Sequence, residues 1–257
     1  MTRKTMRLSL IVAMGLALSV VAGSVAAEEI DRQFQETFEV QPGMKLALEH
    51  GDGDVDISSW SEDTLAVEVR YRARASNIGW SKNTDFTVYF RQEGDTIHVI
   101  GREPKRLTIG ISSYREYEYT YTVKAPSYLE LNLEGEDGDV EIADWQGSIV
   151  VRLEDGDVTL SDIDAPRTGV ILEDGDLTIE GIKGEIDLDC EDGDVVLDLD
   201  REVSARFELE TEDGDIKVSA SDVAELEKNR RHVSGRLGDG AGAIYVRTGD
   251  GSVTLRQ

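Results

Sequence analysis

The chain has 257 residues, with 27 lysines and arginines against 53 aspartates and glutamates, for a formal net charge of −26. A surface this acidic repels nucleic acid and anionic membranes, which argues against both as partners. Hydrophobic residues make up only 39% but recur at regular intervals, which argues against disorder, and the single cysteine, Cys190, excludes an intramolecular disulfide.

Arg3, Lys4 and Arg7 precede an apolar run from Leu8 to Val21, and Val25-Ala26-Ala27 has the small residues of a cleavage site. This predicts a secretory signal peptide over residues 1–27 and a mature domain over 28–257, exported to the periplasm or cell surface. The apolar run is short for a membrane span, so no transmembrane segment is expected after signal removal. No cysteine stands near the cleavage site to support lipoprotein processing.

Phe38-Glu39-Val40, ahead of Pro42-Gly43, suggests a short entry strand. Leu46-x-Leu48 then leads through His50-Gly51-Asp52-Gly53-Asp54 into Val55-x-Ile57, the first copy of a unit that returns later. Between about 61 and 125 the pattern changes to longer alternating runs, carried by Leu65, Val67, Val69 and Tyr71, by Phe86, Val88 and Phe90, by Ile97 and Val99, and by Tyr117, Tyr119, Tyr121 and Val123. These predict an inserted antiparallel sheet. Alternate tyrosines could form a sugar-stacking platform, but cross-strand aromatic packing is the favoured reading. Trp80, between two of these strands, is the better single binding candidate.

From about 128 to 218, and again from 243 to 257, the unit repeats. Asp-Gly recurs with its glycine at Gly53, Gly138, Gly156, Gly175, Gly193, Gly214 and Gly251, and aspartate follows every copy but the last, where Ser252 stands. Gly138, Gly156, Gly175, Gly193 and Gly214 are spaced by 18, 19, 18 and 21 residues. Apolar residues sit seven and five before the glycine (Ile149 and Val151, Ile186 and Leu188) and two and four after it (Val158 and Leu160, Leu177 and Ile179). Period-two spacing on both sides of a turn means two short strands per repeat, each pointing one row inward. A further apolar residue seven after the glycine (Trp60, Trp145, Ile163, Ile182) marks a second corner. A run of Asp-Gly hairpins competes with a stacked solenoid, and the near-constant period favours the solenoid.

The register breaks from Ser219 to Gly242. Asp222-Val223-Ala224-Glu225 reads as a capping box, which predicts a short helix from Val223 to about Arg231 in an excursion over 219–242. Lys228, Arg230, Arg231, His232 and Arg236 form the one basic cluster, read as neutralising the acidic array beside it rather than as an anion site. Ile244, Val246, Val253 and Leu255 are expected to supply a closing rung whose free edge could pair with another copy.

Leu172-Glu173-Asp174-Gly175-Asp176-Leu177-Thr178-Ile179 and Val246-Arg247-Thr248-Gly249-Asp250-Gly251-Ser252-Val253 resemble the repeats of the bacterial putative adhesin family, secreted β-solenoid domains of unknown function. The resemblance runs from about Leu46 to the end. It implies an all-β, single-stranded β-solenoid, β-helix-like, in an envelope or surface protein with no catalytic residues to carry over. The acidic residue before Asp-Gly departs from that family, which often has serine, threonine or glycine there.

Stacking at about 4.8 Å per rung would align the aspartates in like-charge ladders. Two remedies exist. The carboxylates accept turn backbone N–H groups, or calcium bridges neighbouring rungs, with Asp137, Asp139, Asp155, Asp157, Asp174, Asp176, Asp192, Asp194, Asp213 and Asp215 as candidate ligands. The turn reading is favoured, because the nonapeptide spacing of calcium β-rolls is absent. Cys190 occupies the position of Leu153 and Leu172 and reads as a small buried residue. His50 shares that position and reads as a structural corner residue. No nucleophile motif, phosphate loop, dinucleotide fingerprint or zinc ligand set is recognisable, and no cofactor is expected. The sequence therefore points to a non-enzymatic interaction or structural module whose partner is an envelope or surface protein or a glycan. The alternatives are a carbohydrate-active or carbohydrate-binding β-helix protein and a calcium-binding solenoid.

Overall fold

Every Asp-Gly step interrupts a run of alternating hydrophobics, so the chain folds into short strands that turn at the glycine and resume. A computed structural model describes residues 28–75, 86–103, 115–221 and 223–257. The predicted signal peptide (residues 1–27), Trp80 and Asp222 lie outside the described residues. The fold is all-β, with no helix among the described residues and one mixed sheet of 19 strands. In chain order these are β1 (Glu28–Glu39), β2 (Lys45–Glu49), β3 (Asp54–Ser59), β4 (Thr64–Ala75), β5 (Thr87–Glu93), β6 (Thr96–Arg102), β7 (Arg115–Ala125), β8 (Glu130–Asp137), β9 (Val140–Trp145) and β10 (Ile149–Asp155). They continue as β11 (Val158–Asp174), β12 (Leu177–Asp192), β13 (Val195–Leu199), β14 (Ala205–Asp213), β15 (Ile216–Ser219), β16 (Val223–Lys228), β17 (His232–Leu237), β18 (Gly242–Asp250) and β19 (Val253–Arg256).

Successive repeats pair in parallel and in register, which is stacking and not hairpin formation. Val151 lies beside Leu133 on one side and Val170 on the other, and Leu160 lies beside Ile142 and Ile179. The face before the turn runs β6, β2, β8, β10, the second half of β11, the second half of β12, β18 and β14. The face after the turn runs β7, β3, β9, the first halves of β11 and β12, β13, β19 and β15. Inward rows from both faces are buried almost completely, Ile149, Val151, Val158 and Leu160 among them. A fully buried aliphatic side chain of this size contributes about 1.5–3 kcal/mol, so a regular two-row core forms from a chain with few hydrophobics.

The stacking order is not the chain order. The rung of β18 and β19 is not a closing rung. It lies between the rung of β12 and β13 and the rung of β14 and β15, so Val253 and Leu255 have parallel neighbours on both sides and present no free edge. At the other end, β6 and β7 pair in parallel with β2 and β3. The segment between about 61 and 125 is therefore continuous with the stack, and its antiparallel character is confined to β1–β4, β4–β7 and β5–β6. The entry strand is also longer than the sequence suggests, because β1 pairs with all twelve residues of β4.

The predicted helix from Val223 to Arg231 is absent. Val223–Lys228 is β16, antiparallel to β17, which in turn pairs antiparallel with β14. Two physical reasons account for this. Val233 and Leu237 on β17 are buried against the core and draw the excursion into the sheet, and Glu225 adopts φ 54° at a bulge between Ala224 and Glu227. Tertiary pairing outweighs a local capping signal here.

The tyrosines behave as packing residues. Tyr71 stacks on Tyr119 at 5.1 Å between centroids, and Tyr71, Phe86, Tyr119 and Tyr121 are buried.

Candidate functional site: the aspartate columns at the turn edge

The seven turn glycines form one column in the order Gly53, Gly138, Gly156, Gly175, Gly193, Gly251, Gly214. Six of them have φ between 127° and 154°. A Cβ on any of the last six would collide with the carbonyl of the glycine before it in the column. Both conformation and close approach require glycine, which explains its invariance across the copies.

The aspartates following these glycines form a ladder. Oδ1 of Asp54 accepts the backbone N–H of Asp139 at 3.2 Å, Asp139 that of Asp157 at 3.0 Å, and Asp157 that of Asp176 at 2.9 Å. Asp176 then accepts from Asp194 at 2.9 Å and Asp194 from Ser252 at 2.7 Å. One oxygen of each carboxylate thus compensates an N–H that the turn leaves outside the strand ladder. This is the first of the two remedies for like-charge stacking. Ser252 interrupts the acidic run, so Asp215 does not adjoin Asp194.

The aspartates preceding the glycines form a second column, in the order Asp52, Asp137, Asp155, Asp174, Asp192, Asp250, Asp213. Asp250 separates Asp192 from Asp213. The carboxyl of Asp137 is held above the usual carboxylate range, first by partial burial and then by the charges of Asp52, Asp155, Asp54 and Asp139. All ten sequence-predicted candidates therefore lie along one edge of the stack, in two columns flanking the glycines.

Three residues before the glycines runs a third, inward row: His50, Gly135, Leu153, Leu172, Cys190, Thr248, Thr211, with Gly101 of β6 extending it beyond His50. Thr248 and Thr211 donate to the carbonyls of Gly193 and Gly251 at 3.1 and 2.9 Å, and Cys190 Sγ makes the corresponding contact to Gly175 at 3.5 Å. Burial pushes the Cys190 thiol up to about 11, which makes it inert as a nucleophile. His50 is buried beside Tyr121, 5.2 Å between ring centroids; the imidazole fills the space left by the missing side chain of Gly135 and the Tyr121 hydroxyl that left by Gly101. Its Nδ1 lies 3.0 Å from the Gly51 carbonyl, while Nε2 and the Tyr121 hydroxyl have no hydrogen-bond partner. Burial lowers the His50 pKa to about 4.

Of the basic cluster, Arg231 and His232 face acidic residues of the array strand β14, whereas Arg236 pairs within the excursion itself. Arg231 lies 3.9 Å from Asp213, and Arg236 lies 3.3 Å from Glu225.

Residues 44–256 match the family described as Toastrack DUF4097. The chain belongs to that family. No curated protein matches it. Among solved structures, a putative cell adhesion protein from Clostridium sporogenes shares 14% identity over 88% of this chain and 100% of its own, with a TM-score of 0.49. A putative adhesin from Bacteroides fragilis shares 10% over 87% of this chain and 97% of its own, with a TM-score of 0.44. A putative lipid binding protein from Parabacteroides distasonis shares 10% over 88% and 97%, with a TM-score of 0.29. Among the described residues of this Toastrack chain, no helix is long and apolar enough to cross a membrane.

Two features escaped the sequence reading. Tyr245, 53% exposed, stands in a hollow of about 370 Å³ with Asp187, Asp189, Glu208 and Glu210 around it. His232 faces Glu208 and Glu210. Nothing local reveals either grouping, because β12, β18 and β14 meet through the interleaved rung order and β17 reaches β14 through the strand reversal of the excursion.

Proposed function

We propose that this Toastrack chain is an exported, non-catalytic interaction module of the cell envelope, a stiff acidic β-solenoid that presents its outer faces to an envelope protein or a surface glycan. The observation that carries this reading is the aspartate ladder. The aspartate after the turn glycine, which in isolation suggests metal or acid–base chemistry, accepts a backbone N–H of the next rung from Asp54 to Asp194 and so joins one rung to the next. What it builds is an in-register stack with regular outward rows, a geometry suited to binding along a face. Export rests on the basic and apolar pattern of residues 1–27 and on the Ala26-Ala27 cleavage site. Self-association would use a terminal strand such as β15, which among the described residues pairs with β19 alone. Cell fractionation combined with a glycan array and a reducing-sugar release assay tests the proposal. A periplasmic or surface location with no polysaccharide turnover is expected, and hydrolysis or elimination of any polysaccharide overturns the non-enzymatic reading.

A second reading has one observation in its favour. An exposed aromatic ring flanked by carboxylates is a common way to hold a sugar, with stacking on the ring and hydrogen bonds from hydroxyls to the acids. Tyr245 with Asp187, Asp189, Glu208 and Glu210 has that composition. Retained glycan binding by Tyr245→Ala on the array would remove this face from consideration.

A further inference from the structure

We infer that His232, Glu208 and Glu210 form a binding site for a divalent transition metal, zinc by preference, at the rim of the Tyr245 hollow, with which it shares Glu208 and Glu210. Glu210 on β14 stands directly across from His232 on β17, and Glu208 is two residues along the same outward row. One donor atom from each lies within 4.8 Å of the other two. His232 Nδ1 is 3.3 Å from Glu210 Oε1 and 3.8 Å from Glu208 Oε1. Four ligands at about 2.1 Å from a tetrahedral zinc are separated from one another by about 3.4 Å, so these spacings already approximate the edges of a zinc coordination shell.

The framework is rigid. Glu208 and Glu210 lie on a strand paired on both sides, by β17 and β18. The turn that presents His232 is fixed by Asn229, whose Oδ1 accepts the backbone N–H groups of Arg231 and His232, both at 2.9 Å. The Asn229 N–H in turn donates to the His232 carbonyl at 2.9 Å. Protein ligands on paired strands lose little freedom on binding, which favours a preformed site. Imidazole with two carboxylates selects zinc and its transition-metal neighbours over calcium and magnesium, which prefer oxygen alone. Three protein ligands leave a fourth position for water or for a donor from a partner. His232 is only partly exposed, at 31% of its side chain, yet its ligand edge borders the acidic outer face.

Titration of the untagged full chain with zinc by calorimetry tests this, with cobalt absorption as a report on geometry. One equivalent of zinc is expected to bind, cobalt should give the strong visible bands of a tetrahedral site, and an excess of calcium should not displace either. His232→Gln should weaken zinc binding by roughly ten-fold or more. Glu210→Gln should do the same, while His98→Gln, which removes the other partly exposed histidine near a carboxylate, should leave it unchanged. Circular dichroism of each variant establishes that the sheet is intact. Absence of a one-to-one zinc isotherm, or an isotherm indifferent to both His232→Gln and Glu210→Gln in folded protein, overturns the assignment and leaves the cluster an ordinary ion pair.

Discussion

Asp157 Oδ1 accepts the backbone N–H of Asp176 at 2.9 Å, one rung along the stack. The same bond recurs from Asp54 to Ser252, so a residue that repels its neighbours by charge also joins them by hydrogen bonding. Charge and acceptor can be separated by mutation. Asp176→Asn keeps an acceptor oxygen and removes a charge, and its effect on thermal stability should be within about 0.5 kcal/mol at low salt. Asp176→Ala removes both and should cost about 1 kcal/mol, the usual net value of such a bond. Denaturation midpoints of the two variants decide the matter, and equal losses would mean that the oxygen contributes nothing.

The glycine column makes a sharper prediction. Gly156 has φ 127°, and a Cβ there would meet the Gly138 carbonyl, whereas Gly169 lies in an extended strand where the nearest atom to an added Cβ is 3.9 Å away. Gly156→Ala should lose about 3 kcal/mol or more from strain and clash together. Gly169→Ala should be neutral or slightly stabilising, because alanine loses less backbone freedom on folding than glycine. Similar midpoints for the two variants would contradict the required left-handed conformation at the turn.

These two columns and the inward rows were legible in the sequence because they depend on residues close along the chain. Asp-Gly fixes the bend, period two fixes the face, and equal spacing brings like positions together. Rung order was not legible. Every copy carries the same inward pattern, so the rung at Gly251 fits beside Gly193 as well as it would beyond Gly214, and only the return path through β16 and β17 decides between them. The helix expected at Val223 failed for a related reason: Val233 and Leu237 are core residues only once β14 is in place to receive β17. His232 was visible as a charge but not as a partner of Glu210, since 22 residues and a strand reversal separate them.

Buried His50 should impose a pH dependence on stability. Burial dominates its shift from 6.5 to about 4, against the opposing effects of the Gly51 carbonyl, Asp52 and Asp54. A histidine whose folded value is depressed contributes stability that is complete above the unfolded value and declines as pH falls towards the folded one. The loss therefore falls between about 6.5 and 4 and amounts to about 3 kcal/mol. Asp137 acts with the opposite sign, because its raised carboxyl makes its ionisation a penalty that acid removes. His50→Leu, which matches Leu153 and Leu172 in the same row, should flatten the profile across that window. Melting temperatures at pH 7 and pH 4.5 provide the comparison, and an unchanged slope in His50→Leu would assign the acid sensitivity elsewhere.

Calcium can be tested on the two columns directly. Since one oxygen of Asp139, Asp157, Asp176 and Asp194 is already held by backbone, calcium should raise the melting temperature no more than magnesium does at equal concentration, and chelator should leave it unchanged. A calcium-selective rise that is lost in Asp155→Asn with Asp174→Asn would instead place ions between rungs of the column that precedes the glycines.

The interleaved rung predicts an unusual response to truncation. Were β18 and β19 the end of the stack, removing residues 242–257 would uncover one rung and leave the rest nearly intact, as in other arrays built from nearest-neighbour contacts. Here their removal takes away the rung that joins β12 and β13 to β14 and β15, and strips neighbours from Leu188, Leu197, Leu209 and Val218 together. Neither flanking surface can close onto the other without moving the whole excursion from β14 to β17. The truncated chain should therefore lose protection from proteolysis at least as far back as Ala205, while the rungs at Gly138 and Gly156 remain folded. Leu255→Asp, a milder perturbation, buries a charge at a fully enclosed position and should lower stability by about 3 kcal/mol or more without shortening the chain. Limited proteolysis with mass mapping distinguishes the two outcomes. A truncated protein whose Ala205–Leu237 segment stays resistant would mean that the C-terminal strands cap the stack rather than bridge it.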